Sequence, residues 1–254
     1  MADQFDPRMT GSRQPGPTYA GDVRSEAFDA GLRSYMLSIY NYMASGILLT
    51  GLVAMLFSWG GAESMAAQVF GGPGIMKWVI ILSPLAIVFA MSFGQNRFST
   101  PALQFMFWAF ATLMGLSMST IFLVYTGESI ALTFFSTAAA FAGLSLWGYT
   151  TKKDLSGWGS FLIMGVIGLL VAMLLNTFLL PPEANYTMNL VISGLGVLIF
   201  AGLTAYDTQK LKSMYAYVAG TDMMGKTVIL GALSLYLDFI NMFQFLLSFL
   251  GSQE

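Results

Sequence analysis

The stretch TVILGALSLYLDFINMFQFLLSFL, Thr227–Leu250, is long enough to cross a bilayer and carries a single acidic residue, Asp238, near its middle. A membrane-spanning helix needs ~20 mostly apolar residues. A carboxylate at the bilayer centre costs roughly 2.5–3.5 kcal/mol on insertion scales, so a chain keeps one there only with a partner or a function. On a helical wheel Gly231, Ser234, Asp238 and Asn241 fall within about 80° of one another, with Gln244 further round. A polar stripe of this kind must face protein or water rather than lipid, which predicts a last helix at the centre of a bundle.

The rest of the chain extends this reading outward. Of 254 residues, 56% are hydrophobic and only 9% charged, against ~25% charged in a soluble domain. The mean hydropathy is +0.68. Seven spans are predicted: Tyr35–Trp59, Trp78–Phe93, Pro101–Tyr125, Ser129–Tyr149, Ser160–Leu180, Met188–Gln209 and Thr227–Leu250. Gly60-Gly61, Gly71-Gly72-Pro73-Gly74, Ser99-Thr100-Pro101 and Pro181-Pro182 punctuate their ends. Trp59, Trp78, Trp147, Tyr149 and Trp158 stand at those ends, as an aromatic belt requires. The fold class expected is therefore an all-α polytopic membrane protein of seven transmembrane helices.

Residues 1–33 are polar and contain no apolar core of a signal peptide. They read as a mostly disordered cytoplasmic tail with an interfacial turn of helix around Val23–Arg33, ahead of a seven-helix domain over 34–254. Small-residue pairs such as Ala139 with Gly143, and Gly115 with Ser119, are expected at helix contacts.

The basic residues set an orientation. Arg8, Arg13, Arg24, Arg33, Arg97, Lys152, Lys153, Lys210, Lys212 and Lys226 fall on one side of the predicted topology, and only Lys77 on the other. By the positive-inside rule the amino terminus is cytoplasmic. Seven full spans then put the carboxyl terminus outside, whereas a re-entrant last segment would return it to the cytoplasm. The expected location is a bacterial inner membrane.

Several chemistries are excluded. The chain has no cysteine, hence no disulfide, thiolate metal site or cysteine nucleophile. It has no histidine, which removes the usual general base, zinc ligand and near-neutral titrating group. The 11 basic residues are scattered, so there is no nucleic-acid footprint.

A second acid, Asp207, lies near the cytoplasmic end of the sixth span in GLTAYDTQKLK, with Lys210 one turn away. An interfacial Asp–Lys pair accounts for it; so does an inward face shared with Thr204. Likewise Asp238 is either a packing hydrogen-bond donor or a functional group. If the two acids meet inside the bundle, two carboxylates in a low dielectric share a proton, and losing it creates a repulsion able to drive the helices apart. Their hard oxygens, with Ser234 and Asn241 nearby, also suit Ca²⁺. Arg97 is a candidate counter-charge. Depth is the obstacle: Asp238 is twelve residues from Lys226 but Asp207 only three from Lys210. The acids meet only if the sixth helix runs past the membrane edge or the seventh starts below it.

The strings AYDTQ, Ala205–Gln209, and ALSLYLDFINMFQFLL, Ala232–Leu247, closely resemble the signature of the Bax inhibitor-1 (transmembrane BAX inhibitor motif) family. FWAFATLMGLSMSTIFLVYTGESI, Phe107–Ile130, and TKKDLSGWGSFLIMG, Thr151–Gly165, resemble its bacterial members. The resemblance implies a pH-sensitive calcium leak with no tightly bound cofactor, Ca²⁺ as the permeating ion, and stress suppression. It also gives Asp207 and Asp238 the roles of pH sensor, gate and tentative calcium ligands. By the same resemblance Arg97 is the gating counter-charge; from the faces they share with the acids, Ser234, Asn241 and Thr204 are pore-lining candidates. The acidic second-helix residue of some relatives has no counterpart here, since Lys77–Phe93 contains no acid.

Two other functions compete. A membrane regulator of stress or protein quality control would act through a membrane protein partner, with the polar tail as its handle. An intramembrane aspartyl protease would also use two acids on adjacent helices. Its Gly-x-Gly-Asp motif is missing, for Tyr236-Leu237 precede Asp238, and so is the Pro-Ala-Leu motif. The protein is therefore expected not to be an enzyme.

Overall fold

A computed structural model describes residues 20–179 and 182–252, with side chains described from residue 26 onward except over 180–186. The described residues form α-helices α1 (Ala20–Phe57), α2 (Met65–Gly71), α3 (Met76–Gly94), α4 (Thr100–Met118), α5 (Ile121–Val124), α6 (Gly127–Thr150), α7 (Ser156–Leu179), α8 (Pro182–Val218) and α9 (Met223–Leu250). Seven segments among them are long and apolar enough to cross a bilayer, and each matches one predicted span. The predicted punctuation holds where it is described. Gly60 ends the first span in the left-handed region at φ 100°. Ser99 accepts a hydrogen bond from the Ala102 N–H at the start of α4, with Pro101 in its first turn.

Helix α9 is the axis of the bundle. It packs against α1, α4, α6 and α8, while α3 leans mainly on α4 and α7 on α8. In α9 67% of the membrane window is buried, against 33% or less in every other span. Around α9 the polar residues bond one another. Tyr236 and Thr50 hydroxyls meet at 2.6 Å, and Thr50 also donates to the Ala111 carbonyl at 2.8 Å, tying α9 to α1 and α4. Ser145 of α6 bonds Tyr40 of α1 at 2.5 Å and Thr208 of α8 at 2.8 Å. With no hydrophobic force between helices in lipid, close packing and such bonds hold the assembly together.

The two ends of the bundle differ. At one end Lys226 donates to the Gln95 carbonyl (3.2 Å) and Lys212 to the Tyr149 carbonyl (2.8 Å), which gathers the lysine-bearing loops. The amino-terminal stretch of α1 lies there too, with Phe28 and Tyr35 against Tyr215 at centroid distances of 5.0 and 5.3 Å. At the opposite end the backbone N–H of Thr126 donates to the Ser252 carbonyl. Helix α9 thus runs the full length of the bundle as one continuous helix.

Three expectations shift. The first span begins at Glu26 rather than Tyr35 and is continuous with helix from Ala20, so a boundary at 33/34 falls inside α1. The Phe28–Tyr215 contact keeps those early turns packed. Residues 1–19 of the expected tail lie outside the described residues. The sixth span runs to Val218 instead of Gln209, because Leu211 and Tyr215 beyond it are buried. Gly143 has open space where a Cβ would be, so the Ala139–Gly143 face is turned to lipid. The packing glycine of α6 is Gly148, whose Cβ would run into the carbonyl oxygen of Ala205 on α8.

Gly148→Ala should therefore lower the thermal unfolding temperature of the detergent-solubilised protein, overpacking costing roughly 1–3 kcal/mol. Gly143→Ala should leave it unchanged or raised, since Ala is the better helix former. Equal effects of the two substitutions would refute this packing.

Candidate functional site

The antiparallel pair α8–α9 carries a heptad seam. On α8 the residues Asn189, Ser193, Gly196, Phe200, Leu203, Asp207 and Lys210 follow one another at alternating spacings of four and three. On α9 Gly231, Ser234, Asp238, Asn241, Phe245 and Ser248 do the same. This is the 3.5-residue spacing that keeps one face of each helix against its neighbour. The register is pinned at three points. Ser193 donates to the Ser248 hydroxyl at 2.9 Å. Gly196 leaves room for the Phe245 ring, which stacks on Phe200 at 5.8 Å. The Ser234 hydroxyl donates to the Asp207 carboxylate. From Ser193–Ser248 to Asp207–Ser234 both helices advance fourteen residues, about 21 Å.

That register brings the two acids together. Asp207 faces Ser234, and Asp238 is the next seam residue of α9, one turn beyond Ser234. Both carboxyls line one cavity. The depth obstacle disappears because α8 continues past Asp207 for eleven residues to Val218, while Ser234 comes eleven residues after Met223. Asp238 is the more enclosed, 4% exposed, and its Oδ2 is buried without a hydrogen-bond partner. An unsatisfied buried oxygen is costly and marks a protonation, ion or water site.

The cavity, about 720 Å³, is bounded by α7, α8 and α9. Along α8 its lining runs from Asn189 to Lys210, about 31 Å of helix, comparable with the ~30 Å hydrocarbon thickness of a bilayer. Ser234, Asn241, Gln244 and Ser248 line it from α9. A smaller cavity of about 160 Å³ shares Asp207, Lys210 and Ser234 and reaches Gln95 after α3. Besides the two acids, Tyr206 and Lys210 are the ionisable groups lining these spaces among the described residues.

Of the residues singled out in the sequence, Asp207, Asp238, Ser234 and Asn241 come together here. Thr204 does not line the cavity; fully buried, it donates to the Phe200 carbonyl one turn back. It lies one turn before Thr208, which bonds α6, and so faces away from the cavity. Arg97 is exposed and lines neither cavity. The cation beside Asp207 is Lys210. Sequence reasoning missed Ser193, Asn189, Ser248 and Tyr206, although the four-three spacing along α8 was there to be read. No cluster of three acidic residues that could hold a metal occurs among the described residues, so a cation here would rely on two carboxylates plus neutral oxygens.

Residues 32–254 match the family described as "Inhibitor of apoptosis-promoting Bax1". The chain is a member of the Bax inhibitor-1 family. It is 43% identical to inner membrane protein YbhL of Escherichia coli over 228 residues, 89% of this chain and 94% of that one. Uncharacterized proteins of Rickettsia prowazekii (44% over 233 residues, 91% and 94% of the two chains) and Caulobacter vibrioides (46% over 240 residues, 92% and 94%) are similar throughout. Both acids of this family member thus lie on its central seam, within one multi-pass membrane protein.

The absence of native cysteine makes the cavity directly testable. Single cysteines replacing Ser193, Ser234 or Asn241 should react with a small water-soluble thiol reagent. A cysteine replacing Ala232, fully buried on α9, should not. Equal labelling of all four would contradict a hydrated cavity on this face.

Proposed function

We propose that this protein is a passive, proton-regulated cation leak with Ca²⁺ as its favoured ion, and not an enzyme. The observation that carries the reading is the seam register, which sets Asp207 and Asp238 one turn apart in a cavity as long as a bilayer is thick. Two carboxylates that close in a low dielectric cannot both ionise easily and act as one titrating unit. With one shared proton the seam is bonded; with none, like charges repel across it. The proton count therefore sets how tightly α8 holds α9. The same oxygens, with Ser234, Asn241 and backbone carbonyls, offer the hard ligands a Ca²⁺ ion takes when it sheds water. Lys210 supplies the counter-charge that the resemblance had given to Arg97, since it borders Asp207 in both cavities.

The lysine-rich end would face the cytoplasm and the carboxyl terminus the outside, following the positive-inside rule. An inner membrane location accords with the printed name of the Escherichia coli relative.

Purified protein in liposomes should pass Ca²⁺ at a rate that changes across about pH 5 to 8. Asp207→Asn and Asp238→Asn should each flatten that profile, and Lys210→Gln should shift it while Arg97→Gln leaves it in place. A profile that survives both Asn substitutions would overturn the mechanism, and absence of flux at every pH would overturn the leak itself.

A further inference from the structure

At the lysine-bearing end a second, polar pocket of about 310 Å³ opens between the α6–α7 loop and α8. It contains Lys152, Lys153 and Lys210, whose ammonium groups make no hydrogen bond among the described residues, together with Ser156 and Ser213. The loop is held in place by one amide side chain. Gln209 of α8 accepts from the Leu155 N–H and donates to the Lys153 carbonyl, both at 2.8 Å. The loop backbone that carries Lys152 and Lys153 is thus held against α8. The one acid present, Asp154, turns its carboxylate to the backbone N–H of Ser156 at 2.9 Å and caps the start of α7. The hydroxyl and N–H of Ser156 hold its carboxyl below the usual carboxylate range, so it is ionised at neutral pH. Lys152 and Lys153 against Asp154, with Lys210 shared with Asp207 on its other side, leave the pocket positive.

This pocket adjoins the long cavity at a junction formed by Tyr206 and Lys210, which line both, with the Tyr206 ring packed against Gly159 of α7 between them. Below that junction the cavity wall from α7 is Ile163, Val166, Leu170 and Met173. Ile163 and Leu170 are more than half exposed, so this stretch of the slot opens sideways to the hydrocarbon. Ile163 to Met173 covers about 15 Å of helix, half of the ~30 Å hydrocarbon thickness and hence the depth of one leaflet. Trp158, exposed on α7 just above, stands where an interfacial aromatic belongs.

We propose that the α6–α7 loop, α7 and α8 form a binding site for one anionic phospholipid, its phosphate among Lys152, Lys153 and Lys210 and an acyl chain in the slot beside α7. A basic pocket between helices lying directly above a lipid-open apolar slot matches both the headgroup and the tail of such a molecule. The acyl chain would also close the side of a cavity whose opposite wall is the polar face of α9. The site stands independently of the leak reading, because it is defined by lipid retention rather than by flux.

Native mass spectrometry of the full chain in detergent, with phosphatidylglycerol, phosphatidylcholine or inorganic phosphate added, tests it. One phosphatidylglycerol should be retained in preference to phosphatidylcholine. Lys152→Gln with Lys153→Gln should weaken that retention by about fivefold per lysine. Asp154→Asn, which keeps an accepting oxygen but removes the charge, should strengthen it, a gain that misfolding cannot produce. Equal retention of the two lipids, or retention unchanged in the double lysine variant, would overturn the site. Displacement of the lipid by equimolar inorganic phosphate would show an anion site without an acyl slot, and would equally overturn it.

Discussion

Hydrocarbon offers a polar side chain nothing to bond to, and α9 carries Ser234, Asp238, Asn241, Gln244 and Ser248 along its length. The constraint that these groups be kept from lipid fixes the architecture: α9 must be wrapped, and four helices wrap it. Wrapping alone would still leave the polar groups unsatisfied. The α8 seam answers two of them in register, Ser248 at one end and Ser234 at the other, while Asn241 bonds the Leu237 carbonyl of its own helix and Asp238 Oδ2 stays without a partner. A carboxylate on each side of that seam is the one element that packing does not require. Phe245 on Gly196 already locks the register without it.

Much of this architecture was legible in the sequence because each signal was local. Span number followed from apolar runs, span ends from Gly60, Ser99 and Pro101, and the centrality of α9 from a polar stripe on one helix. What was not legible depended on pairing between helices. The wheel for α9 shows its stripe, but nothing in a single helix shows that α8 continues past the expected membrane edge. That continuation rests on Leu211 and Tyr215, which are buried by neighbours remote in sequence. Thr204 shows the same limit: its spacing to Asp207 puts it near the cavity, yet α6 claims the face it occupies. Arg97 sits at the right end of the bundle, but its exposed side chain lines neither cavity, and it is Gln95 of the same loop that borders the cavity of Asp207. Lys210, first a bland interfacial partner for Asp207, proves to border every cavity that Asp207 does.

The bundle also divides mechanically. Helices α1, α4, α6 and α9 are tied by the Tyr236–Thr50, Thr50–Ala111 and Tyr40–Ser145 contacts, and Ser145 with Thr208 hinges α8 on α6. Helix α7 leans mainly on α8, with the cavity between it and α9. A change in charge at Asp207 and Asp238 would therefore act on the α8–α9 seam, on the side of α8 away from its contact with α6. Two discrete packings of one hairpin are the kind of element a proton can bias.

Whether Asp207 and Asp238 behave as one proton-binding unit can be read by infrared difference spectroscopy of the reconstituted protein during a pH titration, because a protonated carboxyl has its own C=O stretch. A single carboxyl band is expected, and both Asp207→Asn and Asp238→Asn should abolish or displace it. Two bands titrating independently, each removed only by its own substitution, would contradict a shared proton.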